Sequence, residues 1–330
     1  MKLRGMMSLK ALAMAFVMAL FLTGGTALAA DKYPSGPITF IVAYAPGGAN
    51  DICARMIAPE LEKVLGVPVT VTNITGGSGW IGYDSLMNSA PDGQTIGMIS
   101  ATGLVAGYVD PGTGRTNTYR DFAPVVNFAS DYQVICVRPD ETRFKTFKEL
   151  YEYSKENEVL IAGWAVTGGD GEEGGKRNSL EGAKIVNMGT NGASEDLTNL
   201  YGEDGDDYVI EISETAAPAK AGQVKILSVA ADKRVRQDPN IPTIKEEVGV
   251  SLVNFSARGI MTPAGVPEDT MKILRDAFMK VFQNEELKKT LAAQGIVVEL
   301  MDWQAYEKYL QTLEDEYKVI GPKYFGWELK

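Results

Sequence analysis

The chain has 330 residues, 45% of them hydrophobic, and carries a formal net charge of −11. It contains no histidine, which excludes Ser-His-Asp and Cys-His catalysis, imidazole acid–base chemistry and histidine-ligated zinc. The acidic balance also argues against nucleic acid and anionic membrane surfaces as partners.

The N-terminus has the pattern of a secretory signal peptide. A basic segment contains Lys2, Arg4 and Lys10, and an apolar run follows over 11–22. A small-x-small cleavage pattern then stands at Ala27-Leu28-Ala29. The apolar run is short for a membrane span, and an uncleaved anchor is the alternative. We therefore predict that residues 1–30 are removed, with cleavage near Ala29 or Ala30, and that the mature protein is exported. About 300 residues then remain, enough for two domains.

A strand, a glycine turn and a helix open the mature chain. The strand is predicted over Ile38–Tyr44, the turn over 45–49, and the helix from Asn50 or Asp51, either of which can cap it. Glycines in the turn let the backbone bend sharply and let a ligand approach it. Free N–H groups and the positive end of the helix dipole favour a carboxylate or phosphate here.

Two further turns of this kind follow, at 75–80 after a strand over 67–71, and at 100–103 after a strand over 95–100. Strands that alternate with helices indicate a parallel, layered α/β sheet, and ligands bind such sheets at the carboxyl ends of the strands. The three turns would line one edge of the sheet. We predict ligand contacts from Tyr44, Ala45, Pro46, Gly47, Gly48, Ala49, Asn50, Asp51, Ser78, Gly79, Trp80, Ser100 and Thr102.

A second domain is predicted over 129–231, and 31–128 plus 232–330 form the first. The crossing is expected at 122–138, as two extended runs around Ser130-Asp131-Tyr132, and a strand over 222–230 carries the chain back. A helix over 146–155 and strands over 159–162, 184–188 and 208–212 lie between them. The alternative is an insertion with no ligand role. The last hundred residues contain a strand over 255–261, a helix after Pro267 that buries Ile273, Leu274, Phe278 and Phe282, and a helix over 303–320.

The two cysteines, Cys53 and Cys136, fall in apolar segments of a helix and a strand. An oxidising compartment would allow a disulfide between them, but two buried thiols fit these surroundings better.

Short motifs spread over the mature chain resemble the tripartite tricarboxylate transporter solute receptors, a family of periplasmic binding proteins also called Bug proteins. No single motif is diagnostic, but the ordered set is specific. The motifs are the start at 33–42, then Ala45-Pro-Gly-Gly-Ala-Asn-Asp51, Ala90-Pro-Asp-Gly93, Asp121-Phe-Ala-Pro-Val125, Ala231-Asp-Lys-Arg234, Ile241-Pro-Thr243, Thr262-Pro-Ala-Gly-Val-Pro267 and Ala292-Ala-Gln-Gly295.

The resemblance implies a type II periplasmic-binding-protein fold, an α/β architecture of two domains joined by two crossing strands with the ligand cleft between them. It implies a periplasmic receptor, acting as a monomer, that holds a small carboxylate through backbone N–H groups, hydroxyls and ordered water. Such a receptor uses no cofactor, catalyses no reaction and delivers its ligand to separate membrane permease subunits. In the second domain the resemblance places ligand contacts at Ala165, Val166, Thr167, Gly168, Gly169, Asp170, Thr190, Asn191, Ser213 and Thr215.

Several departures from the family pattern bear on the ligand. Asp170, together with nearby Glu172 and Glu173, lies where a second ligand acid is expected, so either these acids face solvent or the ligand carries a positive group. Trp80 either stacks on the ligand or fills the cleft wall. Arg258 either grips a carboxylate bidentately or, as the sequence favours, is exposed to solvent.

Two other classes of function compete with a transport receptor. A nucleotide-dependent enzyme is disfavoured, because no glycine turn has G-x-G-x-x-G spacing and none is followed by G-K-S/T. A sensory ligand-binding partner would use the same closed surface as a transport receptor, so the sequence leaves this alternative open.

Overall fold

The computed structural model describes residues 33–164, 180–190, 207–325 and 327–329, together with Leu197 and Leu200. The strands in this part of the chain are β1 (Ile38–Val42), β2 (Val69–Asn73), β3 (Thr95–Ser100), β4 (Phe122–Val137), β5 (Val159–Trp164), β6 (Ile185–Thr190), β7 (Asp207–Glu211), β8 (Lys225–Val229), β9 (Phe255–Pro263) and β10 (Val298–Asp302).

The helices alternate with these strands as predicted. They are α1 (Ala49–Leu65), α2 (Trp80–Met87), α3 (Ala101–Val109), α4 (Phe147–Glu156), α5 (Ile212–Lys220), α6 (Ile244–Val248), α7 (Glu268–Val281), α8 (Glu285–Ala293) and α9 (Trp303–Ile320). Within the described residues, no helix combines the length and the apolar character that crossing a membrane requires.

The sheet begins with three parallel strands and continues with antiparallel ones. β1 lies between β2 and β3, parallel to both. β9 then pairs antiparallel with β3, and β4 with β9, so that the order is β2-β1-β3-β9-β4. This order brings the carboxyl ends of β1, β2 and β3, and the turns that follow them, to one edge. The predicted α/β class with a layered sheet is confirmed, but the prediction of a parallel sheet holds for β1, β2 and β3 and not for β9 and β4.

β4 joins this group of strands to the rest of the sheet. Its first part pairs with β9, from Phe122 opposite Pro263 to Tyr132 opposite Phe255. Its last part pairs with β7 and β8, and β7 pairs in turn with β5, which is parallel to β6. The sequence predicts two runs here, but the strand is continuous, because β9 supplies pairing partners for Ser130 and Asp131. The domain boundaries at 128/129 and 231/232 stay a prediction.

Helices cover both faces of the first group of strands. On one face α1, α7 and α8 bury an apolar cluster that includes Ile57, Leu61, Phe278 and Leu291, and on the other α2, α3 and α9 bury Leu86, Leu104 and Leu310. Full burial of one such side chain contributes about 1.5–3 kcal/mol. Ile273, predicted to be buried, is 40% exposed. It lies outside the face of α7 formed by Met271, Leu274 and Phe278, which recur at three- and four-residue spacing.

Cys53 and Cys136 are buried and form no disulfide. The prediction of two buried thiols is therefore confirmed.

Candidate ligand-binding site

The turn between β1 and α1 is fixed by the carboxylate of Asp51. Asp51 Oδ2 accepts hydrogen bonds from the backbone N of Gly47 at 2.9 Å and from Nε of Arg55 at 3.0 Å. Its Oδ1 accepts one from Nδ2 of Asn73 at 2.9 Å, which ties the turn to the end of β2. Asp51 itself is only 2% exposed. The side chain is therefore committed to shaping the turn, whose residues 45–48 are exposed.

The helix begins earlier than predicted. α1 starts at Ala49, its N-cap is Gly48, and no side chain caps it. The prediction that Asn50 or Asp51 is the cap is therefore wrong: Asp51 already lies within the first turn, and its carboxylate reaches back to Gly47.

Burial of Asp51 acts to raise the pKa of its carboxyl, but the hydrogen bonds from Arg55, Gly47 and Asn73 outweigh it and hold the pKa below its ordinary value. The group is an anion at neutral pH. Because its oxygens accept hydrogen bonds from donors of the chain itself, the role of Asp51 that the structure shows is to hold the turn.

Gly47 is the residue of this turn that requires glycine. Its φ is +84°, in the left-handed region, while a Cβ added there would meet nothing within 4 Å. Gly47→Ala is therefore expected to lower the free energy of unfolding by about 1–2 kcal/mol through backbone strain alone. The matched control is Gly48→Ala, because Gly48 is extended and has room for a Cβ. Urea denaturation of both variants checks this, and equal effects would contradict it.

The second turn has an unusual backbone. Residues 76–79 all have positive φ, and Ser78, at +54°, is the one that is not glycine among the described residues. Ser78 is exposed, and the N–H of Gly79 closes the turn on the carbonyl of Gly76 at 3.1 Å. A non-glycine residue in this conformation costs of order 1–3 kcal/mol, a strain often found at ligand contacts.

Hydroxyl groups connect the three turns. Oη of Tyr44 lies 2.8 Å from Oη of Tyr83, which also accepts a hydrogen bond from the backbone N of Ser100 at 3.3 Å. Oγ of Ser100 lies 3.2 Å from Oγ1 of Thr102. A Cβ on Gly79 would come within 3.3 Å of the Tyr44 ring. Predicted residues of all three turns are thus brought together, since Tyr44 follows β1, Gly79 precedes α2 and Thr102 lies at the start of α3.

Tyr83 is a member of this cluster that sequence reasoning missed. It is fully buried, and burial raises the pKa of its phenol well above the ordinary value. The spacing of one helical turn from Trp80 is the only sequence signal for it, since Tyr44 lies 39 residues away.

Trp80 fills the wall rather than presenting a face to the cleft. It is 2% exposed, and its ring meets Tyr83 edge to face, with 5.8 Å between centroids. The guanidinium of Arg115 lies 4.2 Å from the centre of the same ring. Both contacts favour the second of the two alternatives that the sequence leaves open.

Arg258 is buried, at 5% exposure, so the preference for a solvent-exposed arginine is wrong. Its position on β9, opposite Ser100 of β3 and Ala129 of β4, places it inside the sheet. Nη1 donates to Oδ2 of Asp131 at 2.9 Å. The carboxylate offsets the arginine charge, and this makes Arg258 a poor clamp for a ligand acid. Asp131 is a residue that sequence reasoning did not assign to the site.

Ser213, predicted as a ligand contact, lies against the same carboxylate. Its backbone N donates to Oδ1 of Asp131 at 3.2 Å, and its Oγ donates to Oδ2. Thr215 is fully buried, and its hydroxyl donates to the carbonyl of Ile212 at 3.3 Å. The predicted contacts at 165–170 and 191, and the side chain of Thr190, lie outside the described residues.

Among the described residues there is no cluster of three or more Cys, Asp or Glu side chains arranged to hold a metal ion. The arrangement that remains consists of backbone N–H groups at a helix start, hydroxyls and a mixed α/β scaffold. This is the chemistry that a solute-binding protein uses to hold an anion.

Comparison with known proteins defines the class of protein more narrowly. The profile of the tripartite tricarboxylate transporter receptor family, TctC, matches residues 53–322. The chain belongs to this family, as the motifs predicted. A Cupriavidus necator relative, the UPF0065 protein in the gbd 5' region, is 28% identical over 303 residues, which cover 88% of each chain.

Solved structures share the fold. A TctC solute-binding protein from Polaromonas has a TM-score of 0.78 and 25% identity, over 88% of this chain and 99% of that one. An R. palustris protein determined with adipate has a TM-score of 0.74 and 19% identity, over 88% of this chain and 97% of that one.

Proposed function

We propose that the chain is the periplasmic receptor of a tripartite tricarboxylate-type transporter and that it captures a small organic acid. The signal-like segment 1–30 is removed, and the mature chain works as a monomer. Its two domains, 31–128 plus 232–330 and 129–231, close on the ligand. The loaded receptor then delivers the acid to separate membrane permease subunits. Membership of the receptor family and the signal-peptide pattern support these steps.

The observation that carries the proposal is the turn held by Asp51. It sets the exposed residues 45–48 beside the start of a 17-residue helix, where the N–H groups of the first helical residues and the helix dipole favour an anion. The hydroxyls of Tyr44, Ser100 and Thr102 lie beside it and supply neutral donors. A carboxylate can accept hydrogen bonds from both kinds of donor. Because the protein has a net charge of −11, its overall electrostatic field does not attract an anion, so binding depends on these local donors.

The remaining contacts are proposed from the facing domain, at residues 165–170, 190–191, 213 and 215. The acid in the R. palustris structure, adipate, makes a dicarboxylate the first ligand class to test. Arg258 is not among the proposed ligand contacts, because Asp131 offsets its charge. Its part in the proposal is to connect the two groups of strands.

A panel of mono-, di- and tricarboxylates, aromatic acids and amino acids tests the proposal by thermal unfolding. A ligand present at 100 times its Kd stabilises the protein by about 2.7 kcal/mol, which gives a clear shift in Tm. A shift with dicarboxylates supports the proposal. A shift with amino acids alone would favour the alternative that Asp170, Glu172 and Glu173 face a cationic ligand group, and no shift with any acid would overturn the carboxylate assignment.

A further inference from the structure

Arg115 places a positive charge beside the second turn of the candidate site. Its guanidinium lies over the ring of Trp80, 4.2 Å from the ring centre. Its Nη2 is 3.9 Å from the place where a Cβ on Gly77 would stand, so the charged group is in contact with the turn itself. Sequence reasoning gave no sign of this residue, because it follows α3 by six positions in a polar loop.

The other arginines that lie over aromatic rings in the described part of the chain all have an acid partner. These are Arg120 with Glu314, Arg143 with Glu141 and Arg275 with Glu268. For Arg115 the described residues provide no carboxylate within 4.0 Å, and its buried Nε has no hydrogen-bond partner there. The charge of Arg115, beside the glycine turn, is therefore not offset by a described acid in the way that Asp131 offsets the charge of Arg258.

The position of Arg115 is compatible with a ligand seated at the first turn. Gly77 is two residues from Gly79, a span of at most about 7 Å, and Gly79 packs against the ring of Tyr44. The indole of Trp80 covers one face of the guanidinium and fixes its plane. Because Nε is buried, a carboxylate would be bound by the two terminal Nη groups, whose planar geometry matches its two oxygens.

We propose that Arg115 binds the second carboxylate of a dicarboxylate whose first carboxylate lies at the turn 45–51. This inference rests on the proposed function and deepens it: the receptor selects acids with two carboxylates over acids with one. Trp80 is then a positioning residue that acts through Arg115, which explains why a tryptophan without a face toward the cleft stands at this point of the turn.

The test compares matched probe acids on wild type and Arg115→Gln by isothermal titration calorimetry. The diacids are succinate, glutarate and adipate, and the monoacids are butyrate, valerate and hexanoate. Loss of a charge-assisted, bidentate contact is expected to raise the Kd of the best-bound diacid about 10- to 100-fold, with the Kd of the monoacids within about twofold of wild type. Arg115→Lys, which keeps the charge but not the fork, is expected to recover part of the loss.

Arg275→Gln is the matched control. Arg275 also lies over a tryptophan, Trp303, at 4.1 Å, but it pairs with Glu268 and donates to the carbonyl of Pro124 on β4. Its replacement is expected to leave all six affinities unchanged. Equal losses for diacids and monoacids, or no loss, in Arg115→Gln would overturn the inference while the proposed function stands. If wild type binds none of the six acids and no other carboxylate, the proposed function fails and the inference with it.

Discussion

Asp131→Ala is expected to lower the free energy of unfolding by about 3–5 kcal/mol, because it leaves the buried charge of Arg258 without this carboxylate. The two side chains are 4% and 6% exposed and lie 2.9 Å apart. The same substitution removes the acceptor of both hydrogen bonds from Ser213 at the start of α5. Urea denaturation followed by circular dichroism measures the loss, which would be a large fraction of the stability of an ordinary domain.

Two controls separate the buried charge from the loss of a side chain. The double variant Asp131→Leu, Arg258→Met removes both charges, and we expect it to cost less than Asp131→Ala alone. Asp276→Ala breaks an ion pair with Lys272 in which both side chains are more than 60% exposed, and we expect less than about 1 kcal/mol. An Asp131→Ala variant as stable as Asp276→Ala would contradict the buried ion pair.

The site of this ion pair gives it a role beyond stability. Arg258 belongs to β9, in the first group of strands, and Ser213 starts α5, which follows β7 of the other group. Asp131 lies on β4 between them, at the place where β4 passes from one group to the other. The ion pair and its hydrogen bonds thus connect β9, β4 and α5, where the two groups of strands meet.

Elements with strong local signals were predictable from the sequence. β3 covers Thr95–Ser100 and α9 covers Trp303–Ile320, both as predicted. α9 starts where the carboxylate of Asp302 accepts a hydrogen bond from the N–H of Ala305 at 2.8 Å, a cap that is visible in the sequence. The turn between β1 and α1 also has a strong local signal. Two adjacent glycines between a strand and an amphipathic helix leave few backbone conformations other than a turn.

Features that depend on distant pairing were not predictable. Arg258 and Asp131 are 127 residues apart, and no local pattern relates an arginine on one strand to an aspartate on another. The continuity of β4 through Ser130-Asp131-Tyr132 is a similar case, because the polar residues suggest a break and β9 provides the pairing. Residues 101–103, expected to form a turn, begin α3 directly. Glycine is a weak helix former, so the sequence favours a turn at Gly103. A Cβ there would come within 3.3 Å of the Tyr44 hydroxyl, so glycine is explained by close packing and not by a turn.

Asp51→Ala is expected to have the largest effect on ligand binding, raising the Kd of the best-bound acid by more than about tenfold. The substitution removes the acceptor for Gly47, Asn73 and Arg55, so the exposed turn 45–48 loses the contacts that hold its backbone. Loss of hydrogen bonds to a charged group lowers the free energy of unfolding by about 1.5–3 kcal/mol as well. Calorimetric titration under conditions in which the variant stays folded measures the change in Kd separately from the loss of stability.

Asp51→Asn and the pH dependence make this prediction specific. Asparagine keeps an oxygen for Gly47 but loses the charge, so we expect an intermediate Kd. Because the folded-state pKa of Asp51 lies below its unfolded value, its contribution is fully present above about pH 4 and is lost as the pH falls through the lowered pKa. Wild type should therefore lose more stability on acidification than Asp51→Asn does. Parallel acid profiles, or an unchanged Kd in Asp51→Ala, would show that the turn is held by other contacts and that Asp51 does not shape the site.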